Sequence, residues 1–184
     1  KAAAASNPSS QSKTNMNQKH MKDLSRDDLL KAYRLMVLSR RLDEKEIQLK
    51  NQSATFFQIS AAGHEAVQVA AGMLLRPGYD WIFPYYRDRA LCLTLGVSPT
   101  TMLLGGVGSA EDPSSGGRQM PSHWSSRESH IVSPSSATGM QCLHAVGCAE
   151  AGVLAATQRT ADKALISAHD DEVVLVSLGE GATS

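Results

Sequence analysis

A chain of 184 residues is long enough for one domain with a helical extension, and its 18 basic side chains balance 18 acidic ones. That balance lacks both the basic excess of a nucleic-acid binder and the acidic excess of a solvating tail. No apolar run approaches the roughly 18 residues that a membrane-spanning helix needs, and the opening stretch holds no apolar secretory core.

Residues 1–22 are mostly Ala, Ser, Asn, Gln and Lys with almost nothing to bury, and read as a disordered arm or tag remnant. Basic residues without acidic ones also resemble a transit peptide, against which stand the missing Arg and initiator Met. A helical extension follows over 23–62. Ser25 with Asp28 three residues on predicts a capping box ahead of a long helix. Leu29, Tyr33, Met36, Val37 and, after a turn of Ser and Arg, Leu42 keep a helical stripe. The charged stretch Arg40, Arg41, Asp43, Glu44, Lys45 and Glu46 is expected to form a solvated face with i,i+4 pairs.

The remainder, 63–184, reads as the first part of an α/β domain. Gly63 to Leu75 predicts a second helix ended by Arg76-Pro77-Gly78, and Asp80 to Phe83 a short strand stopped by Pro84. Tyr85 to Leu95 returns to helix with Gly96 as cap, and Ser98-Pro99 supplies an N-cap and first helical position for a short one. From Gly105 to Ser136 Gly, Ser and Pro dominate and periodicity is lost; so long an irregular stretch tends to be functional. Ala137 to Thr157 is a small-residue helix. His169-Asp170-Asp171 then leads to the apolar strand Val173–Leu178. No upstream run matches that strand in strength, so its sheet neighbours are expected downstream in a longer chain or in another subunit. Helices packed on a parallel sheet are the expected fold class. The three cysteines, Cys92, Cys142 and Cys148, form no C-x-x-C pair and read as reduced thiols of a cytosolic-type compartment. Scarce aromatics, at 5%, and abundant small residues favour close packing against a partner subunit.

The last strand feeds the turn Gly179-Glu180-Gly181-Ala182-Thr183-Ser184, where the chain ends, so any site begun there is expected to be completed elsewhere. A dinucleotide fold wants G-x-G-x-x-G, but the sixth position is Ser184, and a P-loop wants a Lys that is absent. A third reading is a diphosphate held through a divalent cation. Glu180 then supplies a hard oxygen ligand while Gly181 and Ala182 turn N–H groups to the phosphates. An ordinary strand-to-helix turn with an exposed Glu is equally compatible with the turn alone.

Four other segments precede it in order: GHEAVQVAAG at Gly63–Gly72, FPYYRDRA at Phe83–Ala90, GGRQMPSHWSS at Gly116–Ser126 and IVSPSSATGMQCLHAVGCAEA at Ile131–Ala151. Together with LGEGATS they resemble the α part of the thiamine-diphosphate-dependent E1 component of 2-oxo acid dehydrogenase complexes, over about Leu29 to Ser184. GEG in place of GDG, beside GRQMP, resembles the branched-chain (2-oxoisovalerate) type, and SLGEGATS with MPSHW also resembles bacterial chains in which α and β are fused.

The resemblance implies a diphosphate-side domain that is incomplete in this chain. It implies oxidative decarboxylation of a 2-oxo acid with acyl transfer to a lipoyl group. Thiamine diphosphate and Mg2+ would be the cofactors. A β subunit or β domain of E1, the lipoyl domain of E2 and a small 2-oxo acid would be the partners, in a bacterial cytoplasm rather than a mitochondrial matrix. Pyruvate or acetoin enzymes of the same family, and a non-catalytic interaction module that keeps the fold, are the alternatives. By resemblance Glu180 is the metal ligand, with Gly179, Gly181 and Ala182 lining the diphosphate. Tyr86 and Arg87 match a Tyr-Arg pair that reaches phosphate and substrate; the guanidinium suits bidentate phosphate binding. A surface ion pair of Arg87 with Asp88 or Asp80 is the plainer alternative. Ser136 matches a serine near the thiazolium and substrate, and is also placed to cap the helix from Ala137. His123 reads as a loop histidine fixed by hydrogen bonds, His64 as helix packing, and His144 as a core or interface histidine. The principal catalytic histidines and the rest of the metal motif, an Asn among it, are implied to lie outside this chain. Pro84 and Tyr85 stand where the branched-chain form has Gly and Gln, and Ser135-Ser136-Ala137-Thr138 where it has Ser-Ser-Pro-Leu.

Overall fold

A computed structural model describes residues 24–158 and 169–183; the arm expected over 1–22 lies outside the described residues. Contacts gather the chain into two units, Lys1–Arg34 and Leu35–Ser184, divided within the first helix, α1 (Arg26–Asn51). In the first unit the capping box forms as expected, with Asp in place of the usual Glu. The Asp28 N–H donates to Ser25 Oγ at 3.1 Å, and the Ser25 N–H donates back to Asp28 Oδ2 at 3.0 Å.

The second unit holds the rest of α1 and then α2 (Glu65–Leu74), β1 (Trp81–Phe83), α3 (Arg89–Thr94), α4 (Pro99–Gly106), α5 (Met140–Gln158) and β2 (Val174–Val176). A single 3-10 turn, Glu180–Ala182, follows β2. Strands β1 and β2 pair in parallel, with Ile82 opposite Leu175. On the other side of β1 the Ile82 N–H donates to the His130 carbonyl at 3.0 Å, and the Val132 N–H donates to the Ile82 carbonyl at 2.9 Å. So the neighbour of the terminal strand lies within this chain, against the expectation that it is supplied from outside. The short strand expected before Pro84 forms as β1, and it sits at the centre of the sheet. Ile82, Leu91, Leu95, Met102, Trp124 and Ile131 form the core beside them.

Local chemistry sets some of the helix ends. Ser98 caps α4 by accepting the Thr101 N–H at 3.0 Å, and Pro99 occupies its first position. Helix α2 meets α3 at Gly72, where an added Cβ would come within 2.7 Å of the Thr94 side chain. Helix α5 starts at Met140, not Ala137, because Gly139 turns the chain at φ +83°. Ser136 therefore caps no helix.

The charged stretch of α1 is the larger correction. Asp43 and Glu46 are only 3% and 4% exposed, and both face Arg89, which is fully buried. Arg89 pairs with Glu46 and lies 3.6 Å from Asp43 Oδ1. Asp43 also accepts Gln58 Nε2 at 2.7 Å, Ser60 Oγ at 2.6 Å and the Ala61 N–H at 3.2 Å, fastening the 52–63 connection to the helix. Burial pushes the Glu46 carboxyl upward despite Arg89. Arg40 pairs with Glu65 at 2.8 Å, which leaves Arg41–Glu44, at i,i+3, as the solvated pair.

Candidate functional site

The segment from Pro84 to Asp88 leaves β1 as a turn rather than as the expected helix. Asp88 accepts the Tyr85 N–H at 2.9 Å and so fixes that turn. The Tyr85 ring lies against Gly179, where a Cβ would come within 3.3 Å of the phenol oxygen. The Tyr86 ring stands 4.3 Å from Tyr85 and 6.0 Å from the His123 imidazole, centroid to centroid. Arg87 donates to the Ser60 carbonyl, with its guanidinium carbon 5.6 Å from the Tyr86 ring. No ion pair of Arg87 with Asp88 or Asp80 forms. Asp80 is occupied by Arg76 at 3.3 Å and by the N–H groups of Arg76 at 2.7 Å and Val173 at 3.1 Å. Burial works to raise the Asp80 carboxyl, but these donors hold it below the usual carboxylate range.

His123 is, as expected, a loop histidine fixed by hydrogen bonds. It is 3% exposed, and its Nδ1 lies 2.9 Å from the Pro121 carbonyl. A carbonyl can only accept, so neutral His123 carries its proton on Nδ1 and turns a bare Nε2 to Ser136 Oγ, 2.7 Å away. Ser136 therefore donates to His123, and Met120 Sδ lies 3.2 Å from the same hydroxyl. The loop that brings them together is closed by Asp112, which accepts the N–H groups of Ser114 at 3.0 Å and Ser115 at 3.1 Å. It is also closed by Gly117, at φ +73°, where a Cβ would fall 2.4 Å from the Gly108 carbonyl oxygen.

Strand β2 delivers the Gly179–Ala182 turn to a cavity of about 530 Å³ whose lining includes Arg87, Gly179 and Glu180. Its other polar lining residues are His64, Gln68, Tyr85, Asp88 and Ser177. His64, expected to be buried in helix packing, is exposed at the start of α2, and His144 is exposed on α5. The turn is closed by the Ala182 N–H to the Gly179 carbonyl and the Thr183 N–H to the Glu180 carbonyl, both at 3.0 Å. Around Gly181 an added Cβ would meet nothing within 4 Å, so the backbone is open to approach there. Glu180 is exposed, and no group of three His, Cys, Asp or Glu side chains is arranged for a metal among the described residues. One cavity thus holds a guanidinium suited to phosphate and a carboxylate suited to a hard cation. Tyr85 joins it to the Tyr86–His123–Ser136 cluster.

Residues 33–184 match the model of the dehydrogenase E1 component family. The chain belongs to this family. Over 129 residues, 70% of the chain, it is 40% identical to the 2-oxoisovalerate dehydrogenase subunit alpha of Bacillus subtilis. Over 167 residues, 90% of the chain, it is 33% identical to the 3-methyl-2-oxobutanoate dehydrogenase subunit alpha of Mycobacterium tuberculosis. The human mitochondrial 2-oxoisovalerate dehydrogenase subunit alpha is 28% identical over 161 residues, 88% of the chain and 33% of that protein. The matched region spans 39% of the length of the two bacterial relatives. The helices on a parallel sheet are those of an incomplete α/β dehydrogenase E1 domain, as expected from the sequence. No described helix is long and apolar enough to cross a membrane.

Proposed function

We propose that this chain forms part of the α subunit, or fused α/β chain, of an E1 component that oxidatively decarboxylates a branched-chain 2-oxo acid. The acyl group then passes to the lipoyl group of E2. The observation that carries this reading is the convergence of two clusters on Tyr85. On one side Arg87 and Glu180 share a cavity; on the other Tyr86, His123 and Ser136 lie in sequence of contact. The names of the relatives support the substrate class.

Thiamine diphosphate, when bound, supplies the carbanion chemistry at the 2-oxo carbon. One N–H of Arg87 is committed to Ser60, and among the described residues the other guanidinium donors make no hydrogen bond that would keep them from diphosphate oxygens. Glu180 is the proposed Mg2+ ligand: one carboxylate suffices for a cation that keeps waters and takes most other ligands from phosphate. Gly179 and Gly181 keep the backbone approachable, and Ala182 closes the turn. Tyr86 and Ser136 present hydroxyls toward the substrate. His123 orients that of Ser136, which donates to Nε2 at 2.7 Å. The β subunit or β domain, and the lipoyl domain, are the proposed partners. A bacterial cytoplasm is the proposed compartment, in keeping with Cys92, Cys142 and Cys148 as free thiols.

The test is turnover of the assembled enzyme with thiamine diphosphate and Mg2+ on 3-methyl-2-oxobutanoate, pyruvate and acetoin. A higher kcat/KM for the branched acid is expected. A preference for pyruvate or acetoin would overturn the substrate class, and no cofactor binding with no turnover would favour the interaction module. Within the same assay, Arg87→Ala should weaken cofactor binding by about 1.5–3 kcal/mol, the range for a charge-assisted hydrogen bond. A loss confined to kcat would make Arg87 a substrate contact instead.

A further inference from the structure

Asp88 stands where three segments of the site meet. It is 4% exposed and makes no ion pair among the described residues. Its Oδ2 accepts the Tyr85 N–H at 2.9 Å and the Ser177 hydroxyl, and its Oδ1 accepts Gln68 Nε2 at 3.1 Å. The Tyr85 N–H also reaches Ser177 Oγ at 3.1 Å. Each partner is tied further. Gln68 donates to the Arg87 carbonyl at 2.9 Å and accepts the Ala90 N–H at 3.1 Å. The Ser177 carbonyl accepts Gln141 Nε2 at 2.9 Å, and the Ser177 N–H donates to the Phe83 carbonyl at 3.2 Å.

A carboxylate buried without a cation is costly, and burial raises the Asp88 carboxyl above its ordinary range. Its retention calls for something a neutral side chain cannot supply. Only an acceptor-only group can receive donors at both oxygens. In an Asn the amide nitrogen must face either Gln68 Nε2 or the Tyr85 N–H, donor against donor. Flipping Gln68 to match would abandon its bond from Ala90. Two of the partners are remote in sequence, Gln68 20 positions away and Ser177 89, so the carboxylate fixes tertiary register as well as the local turn at Tyr85.

We propose that Asp88 is a positioning residue that, through Ser177, locks the Tyr86–Arg87 segment to the Gly179–Glu180 turn and so sets the separation of guanidinium and carboxylate across their cavity. Its meaning for cofactor binding rests on the function proposed above; the coupling of the two segments does not.

The experiment compares wild type, Asp88→Asn, Ser177→Ala and the double variant in the assembled full-length protein. It reads amide hydrogen exchange by mass spectrometry and calorimetric titration with thiamine diphosphate and Mg2+. Loss of a hydrogen bond to a charged group predicts at least about tenfold faster exchange over residues 179–183, with α1 unchanged. The same loss predicts at least about tenfold weaker cofactor binding. KM for the cofactor should rise with kcat at saturation retained, a split that general destabilisation would not produce. The double variant should be no worse than the worse single one, since both break one link. Ser177→Ala removes only a hydroxyl and keeps the test open where Asp88→Asn misfolds. Wild-type exchange over 179–183 in Ser177→Ala would overturn the proposal. So would faster exchange with unchanged affinity. Faster exchange in a protein whose wild type binds no thiamine diphosphate would uphold the coupling and overturn the cofactor reading alone.

Discussion

Glu180→Ala in the assembled protein is expected to abolish Mg2+-dependent affinity for thiamine diphosphate while leaving the fold of the turn intact. The structure separates the two roles cleanly. Among the described residues the hydrogen bonds that shape the turn run between other groups than the Glu180 side chain: the Ala182 N–H donates to the Gly179 carbonyl at 3.0 Å, and the Glu180 carbonyl accepts the Thr183 N–H at 3.0 Å and Thr183 Oγ1 at 2.7 Å. The side chain itself is exposed on the cavity that Arg87 shares. Truncation therefore removes the proposed ligand without removing a support. Groups that merely orient metal ligands are worth roughly 10–100-fold in affinity, so loss of the carboxylate should reach at least the upper end of that range. The measurement is titration with thiamine diphosphate at several Mg2+ concentrations. Wild type should bind more tightly as Mg2+ rises, and the variant should show no such dependence. An unchanged affinity would remove Glu180 from the site and leave the turn a plain connection.

What was legible in the sequence was local. The Ser25–Asp28 box, the Ser98-Pro99 cap and the terminal apolar strand are each decided within a few residues, and each appears as expected. Features decided at long range were hidden. Asp43 and Glu46 look like a solvated face until Arg89, 43 positions beyond Glu46, is brought onto them. Strand β1 is only Trp81–Phe83, and its central position comes from pairing with β2 and with the 130–132 segment. The His123–Ser136 bond crosses 13 positions of a Gly, Ser and Pro-rich loop that carries no periodicity. Tyr86, Arg87 and Ser136 were singled out by resemblance rather than by pattern, and Glu180 by both. Their physical connection runs through Tyr85, packed on Gly179, in a position where the branched-chain form differs.

Arg89→Met should destabilise the fold by about 3–5 kcal/mol in equilibrium urea unfolding, the range for removing one partner of a buried ion pair. The variant keeps the volume of the side chain but leaves Asp43 and Glu46 buried together without a cation. Arg41→Met, which breaks the exposed pair with Glu44, should leave stability unchanged within error. The sign of the pH dependence follows from Glu46. Its folded-state value is already raised by burial, so the native protein holds that proton more tightly than the unfolded chain, and stability falls as pH rises through the interval between the two values. Without the attraction of Arg89 that interval widens, so the deficit of the variant should narrow on acidification. A deficit independent of pH would mean lost packing rather than an unpaired charge. Adding Glu46→Met to Arg89→Met should recover part of the loss. The wild-type network is itself imperfect, since Arg89 Nε and Nη1 find no partner among the described residues. The recovery should stay partial because Asp43 keeps its bonds to Gln58, Ser60 and Ala61. Those bonds connect the buried charges to the site. Asp43 holds Ser60, and the Ser60 carbonyl receives Arg87, so a loosened Asp43 should also weaken the hold of Arg87 on a diphosphate.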